Sequence, residues 1–374
     1  MRDREAPETP VWAYDGMVPG PVMRVRQDDE LKIRLLNELP EPTAIHWHGS
    51  RVPNAMDGSL YLTQPPVEAR GSFEYRFKAP DAGTFWYHAP GIQTGQIERG
   101  LFGAVIVEEK APVEIDRDIV LLMDGRPLRA NDIAVGTNER LRFRLINAAK
   151  ARLMRLRFDR HSIRVMAVDG QPAQPFLASE GRIALGPGNR IDLFLDAVLD
   201  PGETASIFVD NVGAETEIAR LVYEPGTKQR RSPLPDPPPL PSNPLPERID
   251  MRNAQRFDAA LNAVDARSRI WTMIGASSGP FGPPLFSVKR GRAVVMAFPN
   301  PTDAAHAIHL HGHHVRLLDN LDDGWKPFWL DTILVGARQT ARVAFVADNP
   351  GKWMIACQMI GGQETGMTAW FEVT

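Results

Sequence analysis

The sequence predicts an all-β protein built from sandwich-like domains, and three observations carry that expectation. The first is period-2 alternation. Phe73, Tyr75 and Phe77 alternate with Glu74, Arg76 and Lys78; Leu141, Phe143 and Leu145 alternate with Arg142 and Arg144; Val343 and Phe345 lie in a third such stretch. Successive side chains of a strand point to opposite faces, so runs of this kind bounded by Gly, Pro, Asn and Asp read as half-buried strands. The second is the scarcity of helical periodicity, with Phe257 to Val264 the best short helix candidate. The third is length: 374 residues exceed one ordinary domain and suit two or three of roughly 100–150 residues.

Punctuation divides the chain. Pro233 to Pro246, PLPDPPPLPSNPLP, holds eight prolines in fourteen residues. Such a segment forms polyproline II, extending ~3.1 Å per residue or roughly 43 Å in all. That length crosses the face of a domain, so the segment reads as a connector running outside, with docking of a proline-binding module as the alternative. A softer boundary falls near Ala111, between Gly103-Ala-Val-Ile-Val-Glu and Asp116. The expected units are 1–110, 111–228 and 247–374, with 229–246 as the proline-rich linker.

Composition excludes more than it assigns. Hydrophobic residues at 43% and charged ones at 24% are ordinary for globular chains. The net charge of −3 gives no reason to expect nucleic acid as a partner. No apolar run approaches the ~20 residues that a spanning helix needs. The N-terminal MRDREAPETP has no apolar core of a signal peptide. With Cys357 the single cysteine, no internal disulfide forms and cysteine usage does not assign a redox compartment. A protein partner and the oligomeric state are left open.

Histidine placement carries the chemistry. Eight of the nine fall in three places: His46 and His48; His88; and His306, His309, His311, His313 and His314. Residues 306–314 hold five, where random placement predicts about 0.2. His46 and His48 straddle Trp47, and strand residues two apart share a face, so both rings reach one point; His309 and His311 do the same. Converging imidazole pairs suit copper, zinc or iron. His313, His314 and the isolated His161 read as structural, and Asp57 is given no role.

Over nearly its whole length the chain resembles the bacterial multicopper oxidases, the laccase-like family. The resemblance rests on VWAYDGMVPGPVMRVRQDD, TAIHWHGSRVPNAMDG, DAGTFWYHAP, HAIHLHGHHVRLL and ACQMIGGQETGM. It implies three cupredoxin-like Greek-key β-sandwich domains, the third packed against the first, and a periplasmic or exported protein whose leader is not visible; a cytoplasmic location stays open. It also implies copper ligands, taken position by position. The type 2 pair matches at His46 and His309. One type 3 copper has His48 and His88, with Gln358 at its third position. The other has His311, with Pro90 and Ala356 at the matching positions. The type 1 site has His306, Cys357 and Met367, with Gly362 where a second histidine is expected; Gln363 stands one position out of phase.

Six of ten family histidines are thus present. Pro90 and Ala356 offer no donor, and Gln358 offers a hard, weak one for copper. The residues flanking the cysteine, which in the family carry electrons onward, are here Ala356 and Gln358. The expectation is a protein holding one or two copper ions, fewer than four, between the first and third domains at His46, His48, His88, His309 and His311, with zinc also suited to the site. Without metal these rings would titrate near the unperturbed ~6.5 and repel when charged. The alternatives are a scaffold or interaction protein without copper, as in a bacterial cell-division protein of this fold, and an intact laccase-like oxidoreductase.

Overall fold

The computed structural model describes residues 11–90, 95–126, 131–150, 152–211, 214–226, 230–265, 270–273, 281–319, 324–325, 328–359 and 367–374. The architecture is almost entirely β, in three sandwich-like domains. In the first, strands Gly20–Arg26, Phe102–Glu108, Gly83–His88 and His46–His48 form one sheet in that order, facing the antiparallel pair Glu30–Leu36 and Ser72–Lys78. Tyr75 and Phe77 turn inward onto Trp47, Phe85 and Val105, while Glu74, Arg76 and Lys78 face solvent. The alternation in this stretch is that of a half-buried strand.

The middle domain has two five-stranded sheets. One runs Gln171–Leu177, Ile163–Val168, Arg190–Ala197, Glu139–Asn147, Arg117–Met123; the other is ordered Arg182–Leu185, Met154–Phe158, Thr204–Asn211, Ala214–Tyr223, Asn131–Val135. Leu141, Phe143 and Leu145 enter the core between them. The opposite face of that strand departs from the half-buried pattern, because Arg140, Arg142 and Arg144 are about 1% exposed. The face is not solvated because the first domain covers Arg142 and Arg144, and the proline-rich connector covers Arg140. Arg142 donates to Asp192 at 2.6 Å and to Glu109 at 2.8 Å, Arg144 donates to Asp192 at 3.1 Å, and Thr84 of the first domain donates to Asp192 at 2.5 Å. A buried guanidinium survives only with such a full set of acceptors, and deleting one partner of a buried pair costs about 3–5 kcal/mol.

In the last domain, Gln255–Asp258, Ala293–Pro299, Thr340–Val346, Arg316–Asp319 and Gly324–Trp325 form one sheet. Ser287–Val288, Thr368–Val373, Gly351–Cys357, His306–Leu310 and Thr332–Val335 form the other. The proposed helix at Phe257 to Val264 is corrected to parts of two strands, Gln255–Asp258 and Leu261–Asp265. Tertiary packing outweighs a weak helical pattern there, since Phe257 stacks on Phe286 with ring centroids 4.0 Å apart and Leu261 is fully buried.

The proline-rich segment forms neither helix nor strand, and it does not simply run outside. Leu240 is buried against Met166, Ala167 and Phe194. The Asn243 amide donates to Ala82 O at 2.9 Å and Gln171 Oε1 at 2.9 Å, and its oxygen accepts from Ala82 N at 2.8 Å. Carbonyls left free by polyproline geometry accept from Arg140, at Pro235 O, and from Arg51, at Pro244 O. The connector therefore pins the first domain to the middle one. No helix among the described residues is long and apolar enough to cross a membrane.

Candidate metal centre

The strand register brings the sequence-predicted histidines together. His46–His48 pairs antiparallel with Gly83–His88, setting His46 opposite His88. His306–Leu310 pairs with Gly351–Cys357 and with Thr332–Val335. Where the two domains meet, His46 Nε2 lies 3.3 Å from His309 Nε2, the His46 and His311 rings have centroids 3.9 Å apart, and His48 stacks on His309 at 3.7 Å. His48 Nδ1 lies 3.3 Å from His88 Nε2. All five residues are at most 5% exposed.

Each ring is oriented by a bond at its far nitrogen. The Nδ1–H groups of His46, His88 and His309 donate to the backbone oxygens of Asp57, Ala89 and Asp331 at 2.8, 2.9 and 3.0 Å. His311 Nδ1 donates to Asp57 Oδ2 at 3.0 Å. His48 is turned round: its Nε2 donates to Thr332 Oγ1 at 3.0 Å, and the Thr332 hydroxyl donates to Asp331 Oδ1 at 2.8 Å. The tautomers follow from these bonds. They leave the His46 and His309 Nε2 lone pairs facing one another, and likewise His48 Nδ1 and His88 Nε2. Lone pairs at 3.3 Å repel unless a cation lies between them, and imidazole nitrogens bonded at about 2.0–2.1 Å to one ion span such a separation.

Electrostatics agree with neutral donors. Burial, aided by the neighbouring imidazoles, pushes the His48 and His88 pKa values well below the ordinary 6.5, lowers that of His309, and takes His311 to about 3. For His48, His88, His309 and His311 the expectation of titration near 6.5 is thereby corrected: desolvation penalises the imidazolium. Burial pushes the Asp57 carboxyl up, but His311 and His46 outweigh it and hold the group well below the usual carboxylate range. For Asp331, burial is likewise outweighed, here by the Arg190 guanidinium.

Among the described residues, three groupings could hold a metal ion: His46, His48 and His88; His46, His309 and His311; and His48, His309 and Asp331. The third is a supporting layer, because Arg190 grips both Asp331 oxygens at 2.8 and 2.5 Å and neutralises them. Pro90 and Ala356 are buried and carry no donor, and Ala356 lies opposite His309 in the strand pairing. Gln358 is half-buried, with its backbone N–H donating to Ala307 O.

Away from the cluster, His306 Nδ1 lies 3.6 Å from Cys357 Sγ and His306 Nε2 lies 3.0 Å from Thr302 Oγ1; burial takes His306 to about 4. Cys357 N donates to Met367 O, and both residues belong to the same core. Gly362 and Gln363 lie outside the described residues. His161 bonds Asp159 O and the Tyr223 hydroxyl, a structural role as expected. His313 packs among Phe345, Trp353 and Phe371, while His314 reaches Gln171 and Asp331.

Sequence reasoning gave Asp57 no role, yet it orients His311 and accepts from Ser59 at 2.5 Å. It did not single out Asp331, Thr332 or Arg190 at all. Their only trace was proximity: Asp57 stands in MDG shortly after HWHG, and Asp331-Thr332 follows Trp329 within the same domain as HLHG.

Family models described as multicopper oxidase match residues 2–112, 114–224 and 246–374. The chain is 26% identical to the multicopper oxidase MmcO of Mycobacterium tuberculosis, over 98% of this chain and 83% of that protein. It resembles the crystal structure of a multi-copper oxidase from Pseudomonas thermotolerans with a TM-score of 0.85 and 32% identity, covering 98% of this chain and 94% of the other. Lac15 from a marine microbial metagenome matches at a TM-score of 0.79 and 32% identity, covering 97% and 94%. The order of three β domains, the histidines converging between the first and the last, and these likenesses lead to one conclusion: the chain belongs to the multicopper oxidase family.

Proposed function

We propose that this protein binds one or two copper ions at the centre formed by His46, His48, His88, His309 and His311, and does not carry out the four-electron reduction of dioxygen to water. The observation that carries the reading is the facing lone pairs of His46 and His309 at 3.3 Å, with both Nδ1–H groups committed to backbone oxygens. The family points to copper, and copper outranks the other first-row divalent ions at nitrogen sites. Bound there, copper would supply one-electron redox chemistry at a neutral-imidazole site.

The chain's own residues do the rest. His46 and His309 present Nε2, His48 presents Nδ1, and Asp57, Asp331 and Thr332 hold the opposite nitrogens. Against full oxidase chemistry stand Pro90, Ala356, Gln358 and Gly362 at positions where the family resemblance calls for imidazoles. Two of these flank Cys357, so the covalent route from a type 1 site to the cluster lacks its ends. The protein would belong in the periplasm or outside the cell, as the family resemblance suggests.

The test is elemental analysis of the chain purified first without added metal and then with copper, alongside His46→Ala and His309→Ala. The expected result is one to two copper ions per parent chain, a raised melting temperature by mass action, and loss of at least one ion in either variant. A parent that retains no copper, or retains zinc in its place, or variants that bind as the parent does, would leave a scaffold without copper as the better reading.

A further inference from the structure

The middle domain contributes none of the five histidines, yet its side chains, Arg190 foremost, reach the residues that hold those rings. Arg190 starts the strand Arg190–Ala197 and is completely buried. Its guanidinium takes both Asp331 oxygens, Nη1 to Oδ1 at 2.8 Å and Nη2 to Oδ2 at 2.5 Å, and also donates to Gly188 O at 3.1 Å and, through Nε, to Thr84 O of the first domain at 3.2 Å. One planar fork thus touches all three domains. A lysine, as a single point of charge on a flexible stem, does not reproduce that geometry.

The same domain also holds the backbone on which Asp331 sits. Asp169 accepts the backbone N–H groups of Asp331 at 3.2 Å, Thr332 at 3.1 Å and Arg190 at 3.0 Å. Asp331 O accepts from His309 Nδ1, and the Thr332 hydroxyl takes His48 Nε2–H. The chain of contacts therefore runs from Arg190 and Asp169, through Asp331 and Thr332, to the ring orientation of His48 and His309.

A second observation comes from the first domain. Gly49 closes the HWHG motif with φ +82°, and a Cβ built there would lie 2.0 Å from Arg190 Nη2 and 2.5 Å from Asp331 Oδ2. Glycine at this place is needed twice over, for the backbone conformation and for the guanidinium–carboxylate pair that occupies the space beside it.

We propose that Arg190 is a positioning residue for the metal centre: by clamping Asp331 it fixes which nitrogens of His48 and His309 face the metal, so that the middle domain sets the centre's affinity without supplying a ligand. This rests on the copper reading above. Outer-layer partners of metal-bound histidines are worth roughly 10–100-fold in metal affinity, and Arg190 acts one contact further out but on two rings together.

The test compares Arg190→Lys with Arg142→Lys, an arginine as deeply buried between the first and middle domains that does not touch Asp331. Copper affinity is measured by competition with a chelator of known affinity, and the bound Cu(II) is examined by electron paramagnetic resonance. Circular dichroism and thermal melts report folding of the metal-free chains. Arg190→Lys is expected to weaken copper about 10–100-fold and to change the copper hyperfine splitting, while Arg142→Lys lowers the melting temperature and leaves both copper readouts as in the parent. Should Arg190→Lys fail to fold, the charge-neutral pair Arg190→Gln with Asp331→Asn takes its place, with the same copper readouts expected to change. Parental affinity and spectrum in the Arg190 variant overturn the inference, as does an equal copper effect from Arg142→Lys, which would mean general loosening. A parent that binds no copper overturns the copper reading itself, so the two failures are told apart.

Discussion

Two buried histidine regions of this molecule differ in what their ring nitrogens are doing. Between the first and last domains, each of the five rings has one nitrogen bound to a fixed protein acceptor and turns the other toward its neighbours. At the corner of the last domain, His306 is buried too, with Nε2 3.0 Å from Thr302 Oγ1. Its Nδ1, however, faces the single thiol of Cys357 at 3.6 Å, and no second imidazole among the described residues shares that point. Burial alone does not make a metal site. Anchoring one nitrogen while leaving the other directed at a shared point does, because the orientation is then fixed before the ion arrives.

The largest effect that could break this comparison is oxidase turnover. The copper-loaded parent is expected to show no dioxygen uptake coupled to oxidation of phenols, and no intense blue thiolate absorption. Gly362→His alone should add visible absorption without turnover. Adding Pro90→His, Ala356→His and Gln358→His is the smallest set expected to yield turnover. An oxygen electrode and an absorption spectrum check both points; turnover by the parent that a chelator removes and copper restores would refute the expectation.

A smaller effect sharpens the contrast between the regions. Asp57→Asn replaces the carboxylate that accepts from His311 Nδ1, and should weaken copper by about 10–100-fold. Thr302→Val removes the hydroxyl beside His306 and should cost about 1 kcal/mol of stability, with copper affinity within about twofold of the parent on the same principle, since no cluster ring loses its anchor. Competitive copper titration and chemical denaturation distinguish the two.

The pH dependence of the metal-free chain follows from imidazoles held neutral by burial. His311 is lowered to about 3, and His306, His313 and His314 to about 4. Unfolded histidine takes up its proton near 6.5, so between those values the unfolded chain binds more protons than the folded one. The stabilisation is complete above pH ~6.5 and is lost as pH falls toward ~4, by at most about 1.4 kcal/mol per pH unit for each such ring. Melting temperatures should be flat between pH 8 and pH 7 and should drop from pH 6.5 to pH 5; a flat curve across the lower range would mean the rings are accessible to water.

The smallest effect expected is that of Cys357→Ala. Removing one buried sulfur from the core should cost about 1 kcal/mol and leave the number of copper ions per chain unchanged by elemental analysis. A loss of one ion would place the corner in the same class as the cluster.

The ligand set was legible because HWH and HLH lie on strands, where a spacing of two fixes a common face, and because both pairs end in glycine. The supporting residues were not. Arg190 and Asp331 are 141 positions apart and meet at 2.5 Å, a contact that no local pattern encodes. Arg142 and Arg144 alternate with Leu141, Phe143 and Leu145 as a solvated face would; alternation marks two unlike faces but does not say whether water or another domain covers the polar one. The proline-rich run announced a connector, while the inward turn of Asn243 depended on Ala82 and Gln171, distant in sequence and polar at the right spot.

That pinned asparagine fixes the number of residues the connector has between two anchors. Between Pro235, whose carbonyl Arg140 holds, and Asn243, eight residues at the ~3.1 Å rise of polyproline would span roughly 25 Å. An ordinary loop accepts added residues for a few tenths of a kcal/mol; here one extra residue before Asn243 would have to bulge, or drag the amide out of its socket between Ala82 and Gln171. The connector thus works as a ruler rather than a tether: its tolerance to insertion should be high after Pro246, where the chain is free of that socket, and low within the stretch that Asn243 and Arg140 hold under gauge.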